Sequence, residues 1–433
     1  MKRFGIAPYK LLIIAALLQS LYIFLGLMND WDSAIPVFLI AFFLCFAFYG
    51  LCLYWLFRGQ LSQIGWIFIL VPAVLFRIVL IFSDPSLSED FYRYRWDGIV
   101  QIAGHSPYDY PPNGEELKTL RDDYFERINH KQFKTPYSAA AESFYHLFAR
   151  ISTRIWIFKS LVLIFELLLL EVLRRLIKKE SRNAGWLMVY AWHPLPIIEF
   201  AGSGHMDVIG IFFLLLAYLL LRTHRAALSG AGFAIAVLTK YLPVLAFPWF
   251  VKTGKWRFII GGALVALFLM AQYYTPDLKM FSGALAYYKK WRFNDSLFGF
   301  LYDFLGGAEP ARITGMLITL GVIAYCLRKK FTFYRAAFWI FGTVMLFSPV
   351  LHPWYLCWIL PFLVFEPNKP WIFFCGWITL AYIVRYLFPV GVWKPVLWLK
   401  LLIYVPFYGW LILDFLTQRR KDAKALAGGK RLL

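Results

Sequence analysis

An all-α, polytopic membrane protein is the fold class this sequence predicts, on three observations. Of its 433 residues, 61% are hydrophobic and 16% charged, against about half apolar and a quarter charged in a soluble domain. Apolar stretches of roughly 17–25 residues, enough to cross a hydrocarbon core as helix, recur along the whole chain. Lys and Arg gather in the short connectors between those stretches, the signature of loops kept on the cytoplasmic side. The net charge of +20 is thus spent on orientation and contact with anionic lipid. It does not form the single stripe that a nucleic acid would require.

The elements follow in order. "MKRFGIAPYK" runs into the first apolar stretch without a small-residue cleavage site, so residues 11–28 are read as a retained span. Further spans are expected near 34–57, 63–82, 155–173, 185–201, 206–221, 226–251, 257–275, 311–327, 334–350, 354–366, 371–388 and 395–416, about thirteen in all. Basic connectors are "MKR", Arg58, 174–182, 222–225, 252–257, 328–330, Lys369 and the tail "QRRKDAK". Two of these, 222–225 and 252–257, flank a single apolar stretch, and one span cannot have both ends inside. Lys240 and Pro243 in "TKYLP" resolve this. A cation at membrane depth is costly and proline removes a helix hydrogen bond. The stretch is therefore predicted to be two short helices, 226–238 and 242–251, with Lys240 at the bend. Broken helices survive at that depth only inside protein or beside a wet cavity.

This threading sends the loop 83–154, the "GSGHMD" corner (202–207), the Lys240 bend, the loop 276–310, "HPWY" (352–355) and the loop near 388–394 to the outer face. The loop 83–154 is too long to be a mere connector. Phe91, Tyr94, Ile99 and Ile102, and then "SAAAESFYHLFARIST", have helical spacing, predicting two amphipathic helices on the outer surface. Glu89 and Asp90 open the loop where the third span ends. Arg77 lies deeper in that span, expected to pair with one of them or to await an anion. A carboxylate at this boundary can act as a general base toward a hydroxyl, or serve as a salt-bridge partner. The five cysteines, Cys45, Cys52, Cys326, Cys357 and Cys375, lack metal-ligand spacing and are read as structural thiols.

Glu89, Asp90, Tyr92, Arg93, Tyr94, Trp96, Asp97 and Gly98, then Gly104, Pro107 and Tyr108, resemble the first external loop of the GT-C superfamily of membrane glycosyltransferases. The likeness is to the bacterial and archaeal mannosyltransferase branch that uses polyprenyl-phosphate sugars. "TPYSAAAESFYHLFA" (135–149) is similar to the stretch closing that loop, departing from it at Ser138 and Ala139. Residues 193–221 resemble an "NP…E…GHND" helix pair, with His193 and Met206 in place of asparagines. "TKYLP" (239–243) and "SPVLHPWYLCWILPFL" (348–363) complete a likeness over roughly residues 70–365. It implies N-terminal additional spans at 1–62, a catalytic module at 63–275, and an external loop with C-terminal helices at 276–433.

The resemblance implies inverting transfer of a sugar, mannose first, from a polyprenyl monophosphate to a glycan, glycolipid or protein hydroxyl on the outer face of a bacterial or archaeal cytoplasmic membrane. Asp90, then Glu89, is the implied base. Lys240, Arg77, Arg385, His352 and Tyr355 are the implied phosphate contacts. Arg93, Tyr94, Trp96, Asp97, Tyr137, His205, Asp207 and Arg292 are the implied sugar or acceptor contacts. No metal is expected, although Glu89, Asp90, His205 and Asp207 carry the donor atoms for Mg²⁺ or Mn²⁺. A monomer in lipid, without nucleic acid, is expected. The rival readings are a lipid-linked sugar flippase, which would more often show internal repeats, and a lipid-linked oligosaccharide ligase or polymerase.

Overall fold

The computed structural model describes residues 8–388 and 392–427. "MKR", part of the loop near 388–394 and most side chains of the tail "QRRKDAK" lie outside the described residues. Regular structure among the described residues is helical, apart from one isolated parallel bridge between Phe293 and Val350. The chain is an integral membrane protein by its apolar helices. Six are long and apolar enough to cross a bilayer, or seven if Pro194–Gly202 and Asp207–Arg222, bent by 117°, form one broken span. The expected thirteen spans, some of them short or broken, are not confirmed by this count. Several apolar stretches are built from short pieces instead: Ile67–Ile78, Ala226–Thr239 and Phe333–Leu346 have at most 17 residues, and 353–363 is a 3₁₀ turn followed by one helical turn. Apolar length in sequence does not distinguish a straight span from a bent, protein-buried one.

The break at Lys240 is present. The helix Ala226–Thr239 ends there in extended backbone, and Pro243 starts a 3₁₀ turn at Leu242–Ala246. The chain then runs helically over Phe247–Ala271, with Lys255 at φ 51° and ψ −146° inside it. That residue folds the segment back on itself. Phe247 and Phe258 lie 5.9 Å apart between ring centroids, whereas eleven residues of straight helix span roughly 16 Å. The connector expected at 252–257 is thus a sharp turn rather than a loop. Leu238 and Tyr273, which flank the excursion, both meet the helix Ala139–Ile151, through Ser138 Oγ and Ser143 Oγ respectively.

The two helices of the long loop are Asp90–Ile102 and Ala139–Ile151. The first is not the surface helix expected, since Phe91 through Gly98 are all buried. Its apolar spacing was real, but both faces are covered. On one side Gly98 lets Ala139–Ile151 approach so closely that an added Cβ would lie 2.5 Å from the Tyr145 carbonyl oxygen. On the other, Phe91 packs on the corner at Gly204, whose φ of +73° and crowding against that ring suit only glycine. These contacts set the start of Asp90–Ile102 beside the start of Asp207–Arg222.

The N-terminal helices Pro8–Met28 and Ile35–Phe57 are joined to this frame. Trp31 packs on Gly202, and its backbone N–H donates to Ser86 Oγ at 2.8 Å. The five cysteines are free and buried.

Candidate active site

The first turns of Asp90–Ile102 put Asp90, Arg93 and Tyr94 on one helix face, at the i, i+3 and i+4 spacing. That face forms one wall of a cavity of about 380 Å³. Tyr137, Asp207, Lys240, Arg292, His352 and Tyr355 line the same cavity. Nine expected site residues, drawn from six separate stretches of chain, therefore meet in one place.

Asp90 is the group with open chemistry. Its backbone N–H donates to Ser88 Oγ, and its carboxylate accepts from Asn129 Nδ2 at 3.4 Å, a long contact. No cation lies within ion-pairing distance of it among the described residues. Burial, helped by the neighbouring Glu89 charge, pushes its carboxyl up to about 6. Glu89 is different: it is buried and its carboxylate accepts from Arg385 Nη1. The same guanidinium holds Asp32 at 2.7 and 2.9 Å. Glu89 and Arg385 thus neutralise each other just outside the cavity, and neither lines it.

Lys240 reaches the cavity from the helix break. Its Nζ lies 2.5 Å from Asp207 Oδ1 and 4.1 Å from the centroid of the Tyr355 ring. Asp207 Oδ1 also accepts from Trp358 Nε1 at 2.7 Å. The lysine is thus steadied by a carboxylate and an aromatic face while a third of its side chain stays exposed. Arg292 is paired with Asp295 at 2.7 Å and lies over Tyr302. An aromatic column, Phe293, His352, Trp354 and His205, stacks at 4.8, 4.3 and 4.1 Å between successive centroids. The Tyr287 and Tyr355 hydroxyls bond each other at 2.9 Å.

The remaining expected residues stand back. Arg77 does not meet Glu89 or Asp90. It is fully buried against Glu166 at 2.7 Å and donates to the carbonyls of Ala73 and Ala191. Trp96 is buried against Phe125. Asp97 is a scaffold carboxylate whose two oxygens share the single Nε–H of Arg93, at 2.8 and 2.9 Å. His205 lies behind the wall, 3.4 Å from Glu199, while its neighbours Met206 and Asp207 line it. Beneath Asp97, the fully buried Glu142 accepts from Thr135 Oγ1 at 2.6 Å and Gln101 Nε2 at 2.8 Å. Burial, then the Asp97 charge, drives its carboxyl well up.

Sequence reasoning missed Asn129, His130, Lys134, Tyr287 and Trp393, all at the cavity wall. Asn129 through Lys134 belong to an irregular stretch with no period or motif to mark them. Among the described residues no group of three or more His, Cys, Asp or Glu side chains is placed to hold a metal ion. Of the four candidate ligands, Glu89 is committed to Arg385, Asp207 to Lys240, and His205 sits beside Glu199.

Compared with known families, residues 135–353 match the family model of Glycosyltransferase family 87, just over half of the chain. No curated protein matches, and no solved structure matches.

Proposed function

This chain belongs to glycosyltransferase family 87 and is a membrane glycosyltransferase; we propose that it transfers a sugar, mannose first among candidates, from a polyprenyl monophosphate to an acceptor hydroxyl, with inversion, at the outer membrane face. The observation that carries this reading is Asp90, a carboxylate in the cavity wall with no ion-pair partner among the described residues and an affinity for protons suited to general-base work near neutral pH. The acceptor oxygen bonds to C1 of the donor as Asp90 takes its proton. The bond from C1 to the phosphate oxygen breaks on the opposite side, and the polyprenyl phosphate leaves with the electron pair. Lys240, shared with Asp207, steadies the charge on that phosphate. His352 and Trp354, whose faces are covered by their stacking neighbours, line the cavity and present ring edges to the sugar. The apolar exterior of the helices gives the prenyl tail its surroundings.

The test is turnover by the purified protein in detergent, where no two sides exist. Short-chain polyprenyl phosphates carrying mannose, glucose, galactose or arabinose are offered, and products are read by mass spectrometry. Release of polyprenyl phosphate with sugar on an acceptor supports the reading. A protein that never consumes donor in detergent, yet moves it across vesicles, would be a flippase and would end it.

A further inference from the structure

Two segments close over the cavity mouth and contain no acid: 128–138, with His130, Lys131 and Lys134, and 278–294, with Lys279, Lys289, Lys290 and Arg292. The structure stitches them together. Trp291 Nε1 meets His130 Nε2 at 3.3 Å, and Lys290 Nζ lies 4.6 Å over the Phe133 ring. Lys131, Lys279 and Arg292 are paired with Glu126, Asp109 and Asp295. Lys134, Lys289 and Lys290 have no carboxylate within ion-pair distance among the described residues. Lys134 itself lines the cavity, Lys290 reaches the lining residue Phe133, and Lys289 is exposed beside Lys290 at the end of the helix Ser282–Lys290, just before the lining residues Trp291 and Arg292.

This concentration of charge needs a cause. Loops on the cytoplasmic side carry excess Lys and Arg for orientation. Under the topology of the proposed function these two segments face the other way, so that cause is absent. Inside the cavity the donor phosphate already has Lys240. What the rim adds is three cations at the place where a second substrate enters.

We infer that the acceptor is an anion, a glycan or glycolipid bearing a phosphate or carboxylate, which Lys134, Lys289 and Lys290 hold at the rim while its hydroxyl reaches Asp90. This rests on the glycosyl-transfer reading for the hydroxyl, and on charge complementarity alone for the anion. Unscreened cations at a low-dielectric mouth raise the local concentration of an anionic ligand, and salt weakens the effect.

The probes are octyl mannoside and octyl mannoside 6-phosphate, in neutral detergent without lipid. Binding of each is measured directly, and transfer onto each is measured at saturating donor. The expected result is at least tenfold tighter binding of the phosphorylated probe at low salt. That preference should shrink several-fold in 0.5 M NaCl (on the order of a 4 Å Debye length) and in the Lys134→Gln/Lys289→Gln/Lys290→Gln variant, whose donor KM stays at the wild-type value. Equal binding of the two probes overturns the inference. A variant that raises donor KM instead assigns the cations to the donor phosphate. A variant that is normal in detergent and impaired only in anionic vesicles makes the rim a membrane contact. Either outcome ends the acceptor assignment. Preferential binding of the phosphorylated probe without any turnover would sink the transfer reading and leave the anion site standing.

Discussion

Asp90→Asn separates chemistry from stability, because the two should move in opposite directions. The wild-type carboxyl is pushed from 3.8 to about 6 on folding, chiefly by burial. Between those values the folded state binds more protons than the unfolded state, so stability falls as pH rises through the interval. The destabilisation is absent below about 3.8 and complete above about 6. Two units correspond to roughly 3 kcal/mol. Asp90 is only partly buried at a wet cavity wall, so water screens it and about 1–2 kcal/mol is a fairer expectation. The amide cannot ionise and is free of this cost. Asp90→Asn should therefore melt at or above the wild-type temperature in detergent at pH 8, and the gap should close as pH falls toward 4. Over the same series transfer should drop about 10²–10⁴-fold, while wild-type activity should show an acidic limb near pH 6. The assays are thermal unfolding by intrinsic tryptophan fluorescence and sugar transfer by mass spectrometry. A variant that transfers sugar at the wild-type rate would refute the assignment of Asp90 as base. One that loses activity and also melts well below wild type would refute the electrostatic account of its environment.

Lys240→Ala should weaken donor binding by about 2–4 kcal/mol, because the phosphate loses its cation and Asp207 is left without one; Lys240→Arg should recover part of this, and titration with a short-chain polyprenyl phosphate measures both. Glu142→Gln should keep activity within a few-fold of wild type at pH 7, since the isosteric amide can accept from Gln101 Nε2 and donate to Thr135 Oγ1 while relieving the burial of a charge beside Asp97. Glu142→Lys should fail to fold, for it buries a cation beside Arg93, and detergent-soluble yield distinguishes the two. Asn113→Cys should react with an impermeant thiol reagent on intact cells if the loop 83–154 is extracytoplasmic; labelling only after permeabilisation would overturn the topology.

How much was legible in the sequence depended on whether the signal was local. Lys240 with Pro243 announced a helix break because a charge and a missing N–H are anomalies visible at one position. The "GSGHMD" corner was legible as the break between two apolar stretches, and the structure turns it at Gly204. Partner choice was not. Arg77 was expected to pair with Glu89 or Asp90, or to await an anion, and it is the packing of Ile155–Lys179 against the third helix that gives it Glu166 instead. Arg385 was read as a phosphate ligand because its two carboxylate partners lie about 300 and 350 residues away. The helix Asp90–Ile102 was read as a surface element because its periodic face was visible and the cover over its other face was not.

The joint between Asp32, Arg385 and Glu89 has a consequence for biosynthesis. Chains emerge from the ribosome N-terminus first, so Asp32 and Glu89 are made and inserted long before Arg385 exists. Until then the two carboxylates lack the cation that joins them, and the start of the loop carrying Asp90 is held by Ser86 and Phe91 without its ion pair. The entry of residue 385 supplies that cation and locks the first helices to the last ones in a single event. A nascent or truncated chain ending before it would lack the ion pair that fixes Glu89, the neighbour of Asp90.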